Sequence, residues 1–173
     1  MQHSEGFPPV ARSDARVLVL GSLPGRQSIA AQQYYAHPRN YFWPFMEMIL
    51  GIQPGLAYAE RCEQLLHKRV AVWDVLKACT RSSSLDADII EASIIPNDIS
   101  GFLQQHPHVR QLFFNGAKAE SSFRRHILPG LPDALRSRIH LVRLPSTSPA
   151  NASVPMAVKL SAWQQLLEGA DVR

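Results

Sequence analysis

The sequence predicts an α/β fold, a three-layer α/β/α sandwich built on a four-stranded parallel sheet. Three observations lead to that expectation. Short apolar runs at residues 17–20, 70–73, 109–114 and 139–144 have the length and composition of strands covered on both faces. Stretches of helical spacing separate them, the alternation that gives a parallel sheet between helical layers. The runs stop at Gly21, Asp74, Asn115 and Pro145-Ser146, which gathers glycine and polar groups along one sheet edge, where ligands of open α/β folds bind.

Taken in order, residues 1–15 are polar, contain Pro8-Pro9 and lack the apolar core of a signal peptide, so they read as a flexible arm before a single domain over 16–173. Strand 16–20 ends at Gly21, and a loop runs to Arg39. Asn40 is a good N-cap for a helix over 41–50, with Pro44 tolerated in the first turn and Gly51 as the stop. A helix over 56–67 precedes strand 69–74, which ends on a carboxylate. Residues 77–85 are Ser-rich and basic and read as an exposed loop. A helix over 96–105, capped by Asn97 or Asp98 and closed by Pro107, leads to strand 109–114 and the turn Asn115-Gly116. Helix 117–126, a loop over 129–132 and strand 139–144 follow. A final helix over 154–167 is expected to pack Met156, Leu160, Trp163 and Leu167 on one face.

The composition sets outer limits on function. An apolar fraction of 46% in 173 residues suffices for one ordinary core, and no apolar run is long enough to span a membrane, so a cytoplasmic monomer is expected. Lys and Arg number 18 against 14 acids, a net charge of +4 that weakly favours a polyanionic partner. Cys62 and Cys79 have neither the spacing nor the companions for a zinc or iron-sulfur site, and no metal or other cofactor is expected.

Chemistry concentrates in residues 17–45. In Gly21-Ser22-Leu23-Pro24-Gly25 the glycines allow close backbone approach to a ligand, and Pro24 stiffens the turn. Tyr34, Tyr35, His37, Arg39, Asn40, Phe42 and Trp43 then bring rings and polar donors together at a density that suits a flat heterocycle.

These stretches resemble the uracil-DNA glycosylase superfamily. Residues 21–25 look like its first motif. The run Tyr35-Ala36-His37-Pro38-Arg39-Asn40-Tyr41-Phe42-Trp43 is similar to that of its mismatch-specific branch, and Leu144-Pro145-Ser146-Thr147-Ser148-Pro149 resembles its second motif. The resemblance covers about residues 17–167. It departs where uracil-removing branches carry an Asn or Asp that positions water, because Leu23 stands there and has no polar group. With an Asn further on, the pattern looks like the hypoxanthine-DNA glycosylase (DNA-deoxyinosine glycosylase) branch.

What the resemblance implies is a DNA-repair enzyme that flips a deaminated base, foremost hypoxanthine, and hydrolyses its N-glycosidic bond to leave an abasic site. Asn40 and Asp74 are the candidates for the chemistry. An amide is no general base at neutral pH, so Asn40 would orient water or stabilise an oxocarbenium-like sugar, besides capping its helix. Asp74 stands where the family reads the base edge. A carboxylate there accepts from the N1–H of hypoxanthine and opposes the bare N1 of adenine, although a turn-capping role is equally open. Gly21, Ser22, Leu23, Tyr35, His37 and Asn115 are the implied base contacts, with the Tyr35 ring stacking on the base and Asn115 either donating to it or shaping its turn. Pro24, Gly25, Arg26, Arg39, Lys118, Ser146, Thr147, Ser148 and Asn151 are the implied DNA contacts. No lysine occupies position 23 or 40, so a Schiff-base lyase step lacks a nucleophile. Two alternatives remain: a uracil or mismatched-pyrimidine glycosylase with Asn40 or Asp74 carrying the water, and a non-catalytic binder of damaged DNA.

Overall fold

The computed structural model describes residues 1–170. Its strands are β1 (Gln2–Glu5), β2 (Val17–Gly21), β3 (Val70–Asp74), β4 (Leu76–Arg81), β5 (Ile95–Pro96), β6 (Gln111–Asn115) and β7 (His140–Leu144). Its helices are α1 (Arg26–Ala31), α2 (Phe42–Leu50), α3 (Tyr58–His67), α4 (Ile99–Gln105), α5 (Ala117–His126), α6 (Asp133–Arg136), α7 (Met156–Trp163) and α8 (Gln165–Ala170). The expected sheet is present, four strands in the order β3-β2-β6-β7 with every neighbouring pair parallel. Side chains alternate across it. Leu18 and Leu20 point into one apolar layer with Phe102, Leu112 and Phe123, while Val17 and Val19 point into another with Phe42, Phe45 and Trp163.

A second sheet, absent from the sequence reading, has the order β1-β4-β5. It corrects two expectations. Residues 2–5 of the expected flexible arm form β1, antiparallel to β4 from Gln2 opposite Arg81 to Glu5 opposite Ala78. The following residues are pinned as well: Val10 and Val72 exchange backbone hydrogen bonds of 2.9 Å, and the Phe7 carbonyl accepts the Trp73 indole N–H at 3.0 Å. Residues 77–81 of the expected exposed loop belong to β4, with Leu76, Ala78, Cys79 and Arg81 buried. Lys77 and Arg81 disguise its pattern, since Lys77 is outward while Arg81 is an interior cation.

The last expected helix is broken at Gln164 into α7 and α8. Trp163 is fully buried, but Met156 and Leu167 are about half exposed, and Lys159, Leu166 and Ala170 take the inward positions. Lys159 is buried and sets its ammonium 5.5 Å from the centre of the Tyr41 ring. Helix α4 starts after Asp98, whose carboxylate accepts the Gly101 N–H at 2.9 Å, while Asn97 donates to the Asp74 carbonyl at 2.8 Å.

Candidate active site

The carboxyl ends of β2, β3, β6 and β7 open on one cleft of about 1620 Å³. Every residue proposed from sequence for the site lines it except Arg39, which is exposed outside it. β2 fixes the start of the first motif, because the Gly21 and Ser22 carbonyls accept the N–H groups of Val75 (2.8 Å) and Leu76 (3.1 Å). The chain thus passes from one sheet to the other against the motif. Arg81, 4% exposed, donates from Nη2 to the Pro24 carbonyl and from Nε to the Ser4 hydroxyl, tying the motif to β1. Ser22 Oγ donates to Asp86 at 2.6 Å, and the Arg26 N–H donates to Ser84 Oγ at 2.9 Å. Leu23 is buried among apolar neighbours and presents nothing that could hold a water molecule.

Glycine at position 21 makes room for two polar side chains. A Cβ there would stand 2.6 Å from Asp74 Oδ1 and 3.0 Å from the Tyr35 hydroxyl, so both groups crowd onto the bare Cα. Asp74 is 3% exposed, and its Oδ2 has no hydrogen-bond partner. Burial, with the nearby Asp86 charge, pushes its carboxyl up to about 7, while Arg81 pulls the other way. A cleft-floor acid tuned near neutrality is a functional signature.

Tyr35 has φ 57°, a left-handed conformation that a non-glycine residue adopts at some energetic cost. One face of its ring stacks on Phe42 at 4.2 Å, and its hydroxyl points to the floor without a partner. Tyr34 is buried behind it, with its carbonyl accepting the Trp43 indole N–H at 2.9 Å. Asn40 accepts the Phe42 N–H on Oδ1 at 2.9 Å, but the N-cap of α2 is Tyr41 and not Asn40 as expected, so this bond turns the chain just ahead of the helix while Asn40 lines the cleft. His37 Nδ1 stands 3.0 Å from the Arg39 N–H and accepts it, so the neutral ring carries its proton on Nε2.

Asn115 and Thr147 form a reciprocal clamp: Asn115 Nδ2 donates to Thr147 Oγ1 and Oδ1 accepts the Thr147 N–H, each at 2.9 Å. The Thr147 carbonyl accepts the Tyr41 N–H at 3.0 Å. Two expectations change here. Thr147 is wholly buried and its hydroxyl is used inside the protein, so it is no phosphate contact in this state. Asn115 joins the second motif to β6, and only one of its amide hydrogens is left for a ligand. Ser146, Ser148 and Asn151 remain at the rim, where the Ser146 and Ser148 hydroxyls accept the N–H groups of Ser148 and Ala150. Trp163 braces the loop from below by donating to the Pro145 carbonyl at 2.8 Å. Lys118 is not a free cation, since its ammonium lies 2.6 Å from Glu91, which also meets His126 at 3.0 Å. Sequence reading missed Arg81, Asp86 and Glu91, all in or beside the stretch taken for a loop.

Among the described residues no helix is long and apolar enough to cross a membrane, and no three His, Cys, Asp or Glu stand close enough together to hold a metal ion.

Comparison with known proteins extends this geometry. The family described as the uracil DNA glycosylase superfamily matches residues 8–167. A protein of Methanosarcina acetivorans named hypoxanthine DNA glycosylase is 41% identical over 115 residues, 66% of this chain and 72% of that protein. One of the same name from Methanosarcina barkeri is 38% identical over 116 residues, with the same shares. A solution NMR structure from Methanosarcina acetivorans, described as a candidate uracil DNA glycosylase, superposes with a TM-score of 0.79 at 34% identity, covering 98% of this chain and 99% of that one. The sheet order, the two motifs at its edge and these matches agree, and the chain belongs to the uracil DNA glycosylase superfamily.

Proposed function

We propose that this protein is a monofunctional DNA glycosylase that removes deaminated purines, deoxyinosine foremost. Water adds to C1′ of the flipped nucleotide as the C1′–N9 bond breaks, leaving hypoxanthine and an abasic site. The observation that carries the reading is the buried carboxylate at the cleft floor, Asp74 with Oδ2 unpaired. As a carboxylate it accepts from the N1–H of hypoxanthine and repels the lone pair on N1 of adenine. The names of the two Methanosarcina relatives point the same way. Leu23 supplies no polar group, so Asn40 takes the water-orienting and charge-stabilising role through Nδ2, while Oδ1 stays on the helix. His37, with its proton on Nε2, is a neutral donor suited to the departing base. Arg26, Arg39, Ser146, Ser148 and Asn151, with the motif backbone at Pro24 and Gly25, hold the DNA strand. We also infer a monomer acting in the cytoplasm, which the composition supports.

The test uses labelled duplexes carrying inosine, uracil or a thymine mismatch, with alkaline cleavage of abasic sites. Strand breaks at inosine are expected. Breaks at uracil or thymine alone would favour the pyrimidine reading, and tight binding without breaks a damage-binding protein.

A further inference from the structure

Two polar atoms at the cleft floor lack partners, Asp74 Oδ2 and the Tyr35 hydroxyl, each with its atom closed off from solvent. Unpaired buried groups are destabilising in the free protein, and the two side chains meet at one glycine, Asp74 through Oδ1 and Tyr35 through its hydroxyl, which indicates a ligand that pairs with both. Asn115 is near, with its Oδ1 and one Nδ2 hydrogen engaged by Thr147, and no protein group completes a hydrogen bond to the hydroxyl. The ring cannot easily turn away, since Phe42 stacks against it and the backbone sits in the left-handed region.

We propose that the Tyr35 hydroxyl is a specificity-determining donor to the exocyclic oxygen of the flipped base, forming with Asp74 a two-point reader of a lactam edge. The inference deepens the deoxyinosine reading and rests on it. Asp74 takes the ring N–H and Tyr35 serves the adjacent carbonyl oxygen. Both groups reach Gly21, Asp74 Oδ1 and the Tyr35 hydroxyl lying 2.6 and 3.0 Å from where its Cβ would stand, and hypoxanthine offers N1–H and O6 on adjacent atoms of one edge. Burial, and next the Asp74 charge, hold the phenol well above its ordinary value, so it remains a donor across the working pH range. Adenine presents the opposite order, a bare N1 beside an amino group. A site built to pair a polar edge discriminates strongly because the wrong edge leaves its own groups unpaired. The sequence suggested a ring at position 35 that stacks on the base; with one face on Phe42 and its hydroxyl at the floor, the ring reads the base edge in place of stacking on it.

Tyr35→Phe tests this, because it keeps the ring, the Phe42 stack and the backbone. Single-turnover excision is measured on deoxyinosine and on its 6-thio analogue, which keeps N1–H but replaces O6 by a weakly accepting sulfur, together with melting temperature. Expected are a loss of about 10-fold or more on deoxyinosine, a change of less than about 2-fold on the 6-thio analogue, and melting at or above that of the wild type. An unchanged deoxyinosine rate, or equal losses on the two bases, would overturn the proposal and leave the deoxyinosine reading standing. Absence of deoxyinosine excision by the wild type would remove both.

Discussion

Asn40 divides its side chain between two tasks, and substitution can separate them. Its Oδ1 accepts the Phe42 N–H, while Nδ2 faces a cleft whose first motif has no polar group at Leu23. Asn40→Ala is expected to slow single-turnover excision by ~100-fold or more, as for loss of a positioned group in a desolvated site. Its folding stability should fall by only about 0.5–1.5 kcal/mol, the usual net worth of one hydrogen bond. Asn40→Asp keeps the acceptor for the Phe42 N–H and removes the amide N–H, so normal melting with slowed excision identifies the amide as the working group. Asp74 behaves differently. Its carboxyl moves from an ordinary 3.8 to about 7 on folding, so the folded chain keeps a proton that the unfolded chain releases in that interval. Stability is therefore greatest in acid and declines as pH rises between those values, by on the order of 4 kcal/mol in total. Asp74→Asn should melt above the wild type at pH 8 and level with it near pH 4. Excision should move the opposite way: the wild-type rate on deoxyinosine is expected to rise through about pH 7 as the accepting carboxylate forms, and Asp74→Asn, whose amide does not titrate, should flatten that profile. The polar turn at Asn40 was readable in sequence because it is local, although the helix begins one residue later than expected, with Tyr41 at its N-cap. The perturbation of Asp74 was not, because burial comes from four strands packing together and part of the charge effect from Asp86, on another element.

Elements that follow simple periodicity appeared in sequence with their ends nearly right. The four parallel strands alternate between two apolar layers, and α5 begins and ends where its caps and His126 place it. What escaped were elements whose stability is non-local. β1 is Gln-His-Ser-Glu, with no apolar alternation, and it exists because β4 offers an edge to pair with. β4 in turn carries Arg81, whose burial is tolerated because Pro24 and Ser4 accept from it. That second sheet closes the back of the first motif, so the junction between β2 and the motif should be sensitive to small changes. Gly21→Ala places a methyl 2.6 Å from Asp74 Oδ1, and one of the two must move. Because Asp74 and Tyr35 are the groups displaced, deoxyinosine excision should drop by about 10-fold or more, as expected when a site group shifts by an ångström. A Gly21→Ala protein with wild-type kinetics would mean that the carboxylate is not part of the reader.

At the scale of the whole molecule, the net charge of +4 overstates what the cleft offers to DNA. Lys118 is already paired with Glu91, and Arg143 at the rim lies 3.8 Å from Glu120. Arg26 and Arg39 are exposed and appear in none of the ion pairs of the described residues. Each phosphate contact made by a free cation releases condensed counterions and adds about 0.9 to the slope of log affinity against log salt on duplex DNA. A pre-paired cation must first give up its carboxylate, which cancels much of its contribution. Arg26→Ala and Arg39→Ala should therefore each lower the slope by about one unit, alike on damaged and undamaged duplexes, because phosphate contacts carry no base information. Lys118→Ala should change it much less. Glu91→Gln supplies the converse: with the carboxylate neutral, Lys118 is released toward the cleft, and the slope should steepen by up to about one unit. Fluorescence anisotropy of a labelled duplex across a salt series measures all four variants. An Arg26→Ala slope equal to the wild type, alongside a full-unit loss for Lys118→Ala, would move the phosphate track from the α1 side of the cleft to α5.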